Sequence, residues 1–191
     1  MEFLSNDDFF AKYYEVYPTL KKQFFKLETS QSYVEYNITN WNEIPSSQMP
    51  GIIKNAQANV FKQKESYSDV IERGVQLKRV RYITFPLSKY VLRQFSSYLI
   101  AEEIGERIFI LEESNKLDDL INREIFSDFL LFDDEKILVH NYVDGKLEGA
   151  YYSEDPSEIQ PYLNLKQISE ELSISFGEFT ANFNLVFNKL I

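Results

Sequence analysis

Between residues 69 and 152 the chain passes from a helix end to a strand, an amphipathic helix, a second strand and a pair of hairpins, with almost no spare residues between them. So tight a succession admits few topologies. Residues 75–84 are strand-like, Pro86 and Ser88 open a helix carrying Tyr90, Val91, Phe95, Tyr98 and Leu99, and residues 107–111 form the continuous apolar run of a strand buried in a parallel sheet. Two strands joined by a helix predict a parallel crossover. Residues 126–132, 136–143 and 146–152 then flank Asp133-Asp134-Glu135 and Asp144-Gly145, which predicts two hairpins, the second on a strong Asp-Gly turn signal. The predicted fold class is α/β or α+β: a mixed central sheet of about five or six strands, with one parallel β-α-β crossover, two hairpins and helices packed around them.

The flanks are more helical. Ser5 or Asn6 caps a helix with Asp7 and Asp8 in its first turn and Phe9, Phe10, Tyr13, Tyr14 and Tyr17 at helical spacing, interrupted by Pro18. Residues 19–27 read as a second amphipathic helix, with Leu20, Phe24 and Leu27 on one face and Lys21, Lys22 and Lys26 elsewhere. Residues 32–38 alternate like a short edge strand, and 40–50 are a connection. Residues 51–73 are helix-compatible with a break near 62–66 and a stop at Gly74. Asp155 and Pro156 start a helical tail running to Leu190, interrupted around Pro161 and Gly177. The expected organisation is a helical N-terminal arm with a short strand (1–45), an α/β core (46–155) and a helical C-terminal tail (156–191), together one compact domain.

Composition narrows the chemistry. The chain of 191 residues has no Cys and one His, so thiolate nucleophiles, disulfides, Cys-type zinc sites and His-rich metal sites are excluded; any metal would be oxygen-ligated, and no metal or cofactor is expected. The acidic start lacks the features of a secretory signal, and no window approaches the roughly 18 apolar residues of a membrane span, which predicts a cytoplasmic protein without a membrane partner. The Asn37-Ile38-Thr39 sequon reads as chance in such a compartment. A formal charge of −10 opposes attraction to nucleic acid and suits either plain solubility or a basic protein partner.

The run Asp69-Val-Ile-Glu-Arg-Gly-Val-Gln-Leu-Lys-Arg-Val-Arg-Tyr-Ile, followed by Pro86-Leu-Ser-Lys-Tyr90 and by Asp128-Phe-Leu-Leu-Phe-Asp-Asp134, resembles an uncharacterised family of small proteins abundant in actinomycetes. Phe25-Lys-Leu-Glu-Thr29 fits the family's N-terminal pattern, so the resemblance covers most of residues 5–155. Members are often encoded beside helix-turn-helix regulators, which implies a regulatory partner. A helix ending in Arg-Gly-Val, a crossover and a strand entering an Asp-Asp turn also look like one half of a phospholipase D-like fold. Active members of that superfamily place a His-x-Lys pair ahead of the aspartate-bearing strand, the His as nucleophile and the Lys on phosphate. The matching stretch here is Phe126-Ser-Asp-Phe-Leu-Leu, with neither residue, so the resemblance implies a half-domain without its catalytic motif.

Two groups of residues are candidate sites. Lys78, Arg79, Arg81, Lys89 and Arg93, with Tyr90, form the one basic concentration; at the carboxyl end of a parallel strand they are placed to meet an anion, while pairing with the chain's own carboxylates is the plainer reading. His140, Asp133 and Asp134 belong to an alternative enzymatic reading. On plainer grounds His140 is a sheet histidine and the two aspartates are turn formers. The pairs Glu102–Glu103, Glu112–Glu113 and Glu170–Glu171 read as solvated surface, since neighbours on a helix do not face each other.

No catalytic residue is assigned. The expected function is a non-enzymatic cytoplasmic protein that regulates or inhibits a partner, such as a helix-turn-helix regulator or another basic nucleic-acid-binding protein. The alternatives are a divergent phosphodiester hydrolase and a sensor of a small anionic ligand or nucleotide. Charge makes a direct prediction: ten net negative charges repel a polyanion over a Debye length of about 8 Å. Fluorescence anisotropy at physiological salt should show no sub-micromolar binding to duplex DNA; tight binding lost on Arg79→Glu and Arg81→Glu would refute the charge argument.

Overall fold

Two neighbouring strands carry charges at alternate positions on one face, and this decides how the sheet is covered. In a computed structural model, which describes residues 1–35, 38–114, 117 and 125–182, β1 (Glu2–Ser5), β2 (Gln23–Glu28), β3 (Gln76–Ile83), β4 (Arg107–Glu112), β5 (Phe129–Phe132), β6 (Lys136–Val143), β7 (Lys146–Ser153) and β8 (Ile174–Ser175) form one mixed sheet. The order is β1-β7-β6-β5-β2-β3-β4-β8. Strands β2, β3 and β4 are parallel, and the remaining pairs are antiparallel.

The helices are α1 (Asn6–Val16), α2 (Met49–Phe61), α3 (Lys64–Glu72), α4 (Lys89–Glu103), α5 (Pro156–Leu172) and α6 (Phe176–Asn182). Their starts follow the capping rules: Ser5, Ser88 and Asp155 each accept a hydrogen bond from a first-turn amide. One face of the sheet, with Phe25, Leu27, Val80, Phe129 and Leu131, is apolar and is covered by α5 through Ile159 and Leu165. The opposite face carries Phe24 and Leu77 under α1 and α3, and Ile108 and Ile110 under α4 and α6. Between those apolar patches lies a polar stripe.

The parallel crossover β3-α4-β4 and the hairpins β5-β6 and β6-β7 match the sequence expectation. Asp144 and Gly145 turn with φ of 49° and 76°, the left-handed pair that an Asp-Gly hairpin needs. Four expectations are corrected. Residues 19–27 hold no second helix: β2 occupies their end and sits in the middle of the sheet, between β5 and β3. The supposed helical face does not exist there, since Phe24 packs on one side of the sheet and Leu27 on the other. Residues 32–38 form no strand among the described residues, only the bridge Glu35–Ile38. Tyr36 and Asn37 lie outside the described residues. The sheet has eight strands rather than five or six, because β1, β2 and β8 join it. Thus the segment read as an N-terminal arm supplies two strands of the common sheet. Helix α5 runs through Pro161 rather than breaking there, held by the buried Ile159 and Leu165 on either side. The last part of the expected tail, 183–191, lies outside the described residues.

Gly149 is where β1 joins the sheet. Its φ is 153°, and a Cβ there would stand 2.1 Å from the carbonyl oxygen of Leu4, too close for any side chain. Urea denaturation of Gly149→Ala should show a loss of about 2 kcal/mol or more, the cost of backbone strain plus overpacking. A loss below about 0.5 kcal/mol would show that β1 can shift freely along β7.

Candidate functional site

The polar stripe lies beneath α1, α3 and α4. Alternation in β2 puts Phe24, Lys26 and Glu28 on one face, and the parallel register sets Lys26 beside Arg79 and Glu28 beside Arg81. Arg79 binds Glu28 at 2.8 Å and Glu106, at the mouth of β4, at 3.0 Å, while Lys26 stands 3.7 Å from Glu106. Burial opposes ionisation of both glutamates, yet Arg79 overcomes it and both are held below the ordinary carboxylate range, Glu28 at about 2. Burial and the nearby Arg79 guanidinium push the Lys26 ammonium down.

Arg81 is fully buried and donates to the Ser30 carbonyl and, at 3.4 Å, to the Tyr33 hydroxyl. Tyr33 in turn donates to Asp128. Asp128 also accepts from Thr29 N at 2.7 Å, Thr29 Oγ1 at 2.8 Å and Tyr142 Oη at 3.2 Å. His140 is pinned opposite by its amide, which donates to the Asp128 carbonyl at 2.9 Å, and its Nδ1 is 3.1 Å from Tyr142 Oη. Burial lowers the His140 pKa, so the ring is neutral. Across the floor three cations, Lys26, Arg79 and Arg81, face three carboxylates, Glu28, Glu106 and Asp128, with Arg79 shared between two of them and Arg81 reaching Asp128 only through Tyr33.

Above this floor is a cavity of about 570 Å³, walled by Phe9, Tyr13, Tyr33, Tyr67, Tyr90 and Tyr142. A second space of about 250 Å³ adjoins it and shares Lys26, Glu28, Glu35, Gln63, Tyr67 and Gln94. Phe10 and Tyr14, one helical turn apart on α1, border the larger space and are 45% and 70% exposed. The volume lies in the range of small-molecule sites, and the mixture of aromatic walls with a few polar groups is their usual lining. Among the described residues no cluster of carboxylates or imidazole suited to a metal ion occurs.

The basic cluster read from the sequence divides. Lys78 faces the other side of the sheet and binds Glu170 at 2.8 Å, and Lys89 donates to the carbonyls of Asn42 and Ile44. Arg93 pairs with Glu35 and stacks on Trp41 and Tyr90, while the Tyr90 hydroxyl donates to the same glutamate. Arg79, Tyr90 and Arg93 thus gather around the two cavities, and Arg81 lies beneath them. The arginines are inward-facing rather than exposed at a strand end, because the strand interior offers them carboxylates and carbonyls that water would otherwise replace. Asp133 and Asp134 stand apart. Both adopt left-handed backbone, φ 55° and 63°; Asp133 accepts from the amides of Lys21, Lys22 and Gln23, and Asp134 binds Lys166 at 2.9 Å. Of the enzymatic set only His140 lines the cavity. Lys26, Glu28, Glu106 and Asp128 were missed from sequence; the readable signal was the alternation Phe24-Lys26-Glu28 against Phe25-Leu27.

Glu28 links this network to pH. With its pKa at about 2 when folded against 4.5 when free, its contribution is on the order of 3 kcal/mol, fully present above pH 4.5 and lost as pH falls toward 2. Urea denaturation of the native protein and Glu28→Gln should therefore give a stability gap that narrows between neutral pH and about pH 3. A constant gap would show that Glu28 does not act through its charge. Arg79→Met, which strands two buried carboxylates, should cost about 3–5 kcal/mol in the same assay.

No curated protein matches the chain. A family model does, over residues 11–181, a span that takes in the latter part of α1, β2 to β8 and the cavity walls other than Phe9 and Phe10. The chain accordingly belongs to the family described as Domain of unknown function (DUF6879).

Proposed function

We propose that this is a non-catalytic ligand-binding domain, cytoplasmic and regulatory in role, whose site is the aromatic cavity over the β2–β3 polar stripe. The observation that carries this reading is a cavity of about 570 Å³ left open over a floor in which Arg79 is buried between Glu28 and Glu106. Such a floor is costly to build and adds little net stability compared with apolar packing. A binding role accounts for keeping it. Catalysis finds less support: His140 is neutral and hydrogen-bonded to a tyrosine, and Arg79, Arg93 and Lys78, which a phosphodiester would need, each hold a carboxylate. The strand β5 entering the Asp133–Asp134 turn suits a phospholipase D-like half fold whose His-x-Lys pair is missing.

A second reading, regulation of a basic protein partner, draws on the net charge of −10 and on Phe3 and Tyr151, an exposed ring pair with centroids 5.3 Å apart on the edge strand β1 and its neighbour. The two readings join if ligand occupancy controls that partner.

Ligand-observed NMR with a fragment mixture tests the cavity directly. Ring-bearing fragments should bind the native protein and lose binding to Gln63→Trp, which places an indole at the shared wall from an exposed helix end, with the thermal midpoint moved by only a few degrees. An empty screen, or hits indifferent to Gln63→Trp, would remove the cavity from consideration.

A further inference from the structure

The cavity also specifies what kind of ligand it takes, a step that rests on the binding function proposed above. Two acceptor atoms in its lining are buried and lack partners: His140 Nε2 and Gln94 Oε1. The first is a bare lone pair by elimination. Asp128 can only accept, so the single proton of Tyr142 Oη goes to it, and Tyr142 Oη must accept in turn from His140 Nδ1–H. The neutral ring then has no proton left for Nε2. Gln94 is itself 7% exposed and lines both spaces.

The charges that line this space are, by contrast, already engaged within the protein: Lys26 faces Glu106 at 3.7 Å, and the partnerless Nε atoms of Arg81 and Arg93 lie outside its lining. Asp128 has four donors on its two oxygens, Glu28 holds Arg79 and the Tyr98 hydroxyl at 2.7 Å, and Glu35 holds Arg93 and Tyr90. Arg79 is shared between Glu28 and Glu106. A charged ligand would give up its hydration to meet, in the larger space, charges that already have partners, whereas a buried acceptor without a donor gains from any N–H or O–H that arrives.

We propose that the cavity binds an uncharged, ring-bearing ligand that donates hydrogen bonds to His140 Nε2 and Gln94 Oε1. Its ring packs among the tyrosines and its charge is zero because the protein's own charges already cancel.

The chain has one histidine, so its imidazole nitrogen signals report on this site alone. ¹⁵N-labelled protein is titrated with indole-3-acetamide, indole-3-acetate and tryptamine, which share a ring and differ in charge. The amide should bind at least about tenfold more tightly than the acid or the amine and move the Nε2 resonance while Nδ1 stays protonated. Gln94→Met and His140→Phe, which keep side-chain bulk, should each weaken the amide about tenfold. Acid or amine binding as well as the amide overturns the inference. So does amide binding that leaves Nε2 unmoved and is indifferent to Gln94→Met, a measurement that needs no histidine variant to fold. If the fragment screen fills the cavity but none of the three indoles binds, or only charged fragments do, this inference fails alone; an empty screen removes the binding function with it.

Discussion

The guanidinium of Arg79, held between Glu28 and Glu106, ties together the three parallel strands at the centre of the sheet. Each partner comes from a different strand or its mouth, so the contact exists only when β2, β3 and β4 are in register. A register slip of one residue would turn Lys26, Glu28, Arg79 and Arg81 into the apolar face under α5. Unpaired charge in that environment would cost several kcal/mol per group, so the network rejects the wrong pairing more strongly than it rewards the right one. Specificity, more than stability, is what such a network supplies.

The same network explains why an open space survives above it. Guanidinium and carboxylate groups cannot close-pack as methyl groups do, and their remaining hydrogen-bonding sites need partners. Tyrosines supply those partners: Tyr33, Tyr90, Tyr98 and Tyr142 each point a hydroxyl at a carboxylate while their rings face one another or the helices. Burial raises the pKa of all four, so they remain neutral donors at any physiological pH. The result is a ring-lined chamber whose floor is polar but electrically balanced. Phe10 and Tyr14 extend the aromatic surface outward from its edge.

Much of the scaffold was legible from local chemistry. The Asp-Gly turn, the Ser88 and Asp155 caps, the Gly74 stop with φ 87° and the apolar β4 each rest on interactions within a few residues, and each formed where the sequence placed it. β2 was illegible for a physical reason. Hydrophobic periodicity assumes that charge marks the solvent side, and in β2 charge marks a second interior, so Leu20, Phe24 and Leu27 imitated a helix. Asp133 and Asp134 were legible as a turn, yet the carboxylate bonds that offset their left-handed backbone come from Lys21 to Gln23 and from Lys166, far away in sequence.

By itself the sequence determined a mixed α/β fold, the crossover and both hairpins, the absence of thiol chemistry and a strongly acidic balance, because these depend on residue type and short-range order. Tertiary structure alone decided which charges are inside. Lys78 and Arg79 are neighbours in the chain, yet pleating sends one to Glu170 on α5 and the other to Glu28 and Glu106 on the opposite face. The cavity likewise has no local signature: it is the gap left where α1, α3 and α4 close over a polar stripe assembled from β2, β3, β5 and β6. Long-range pairing, not composition, turns a scatter of basic and acidic residues into a balanced floor beneath a ring of tyrosines.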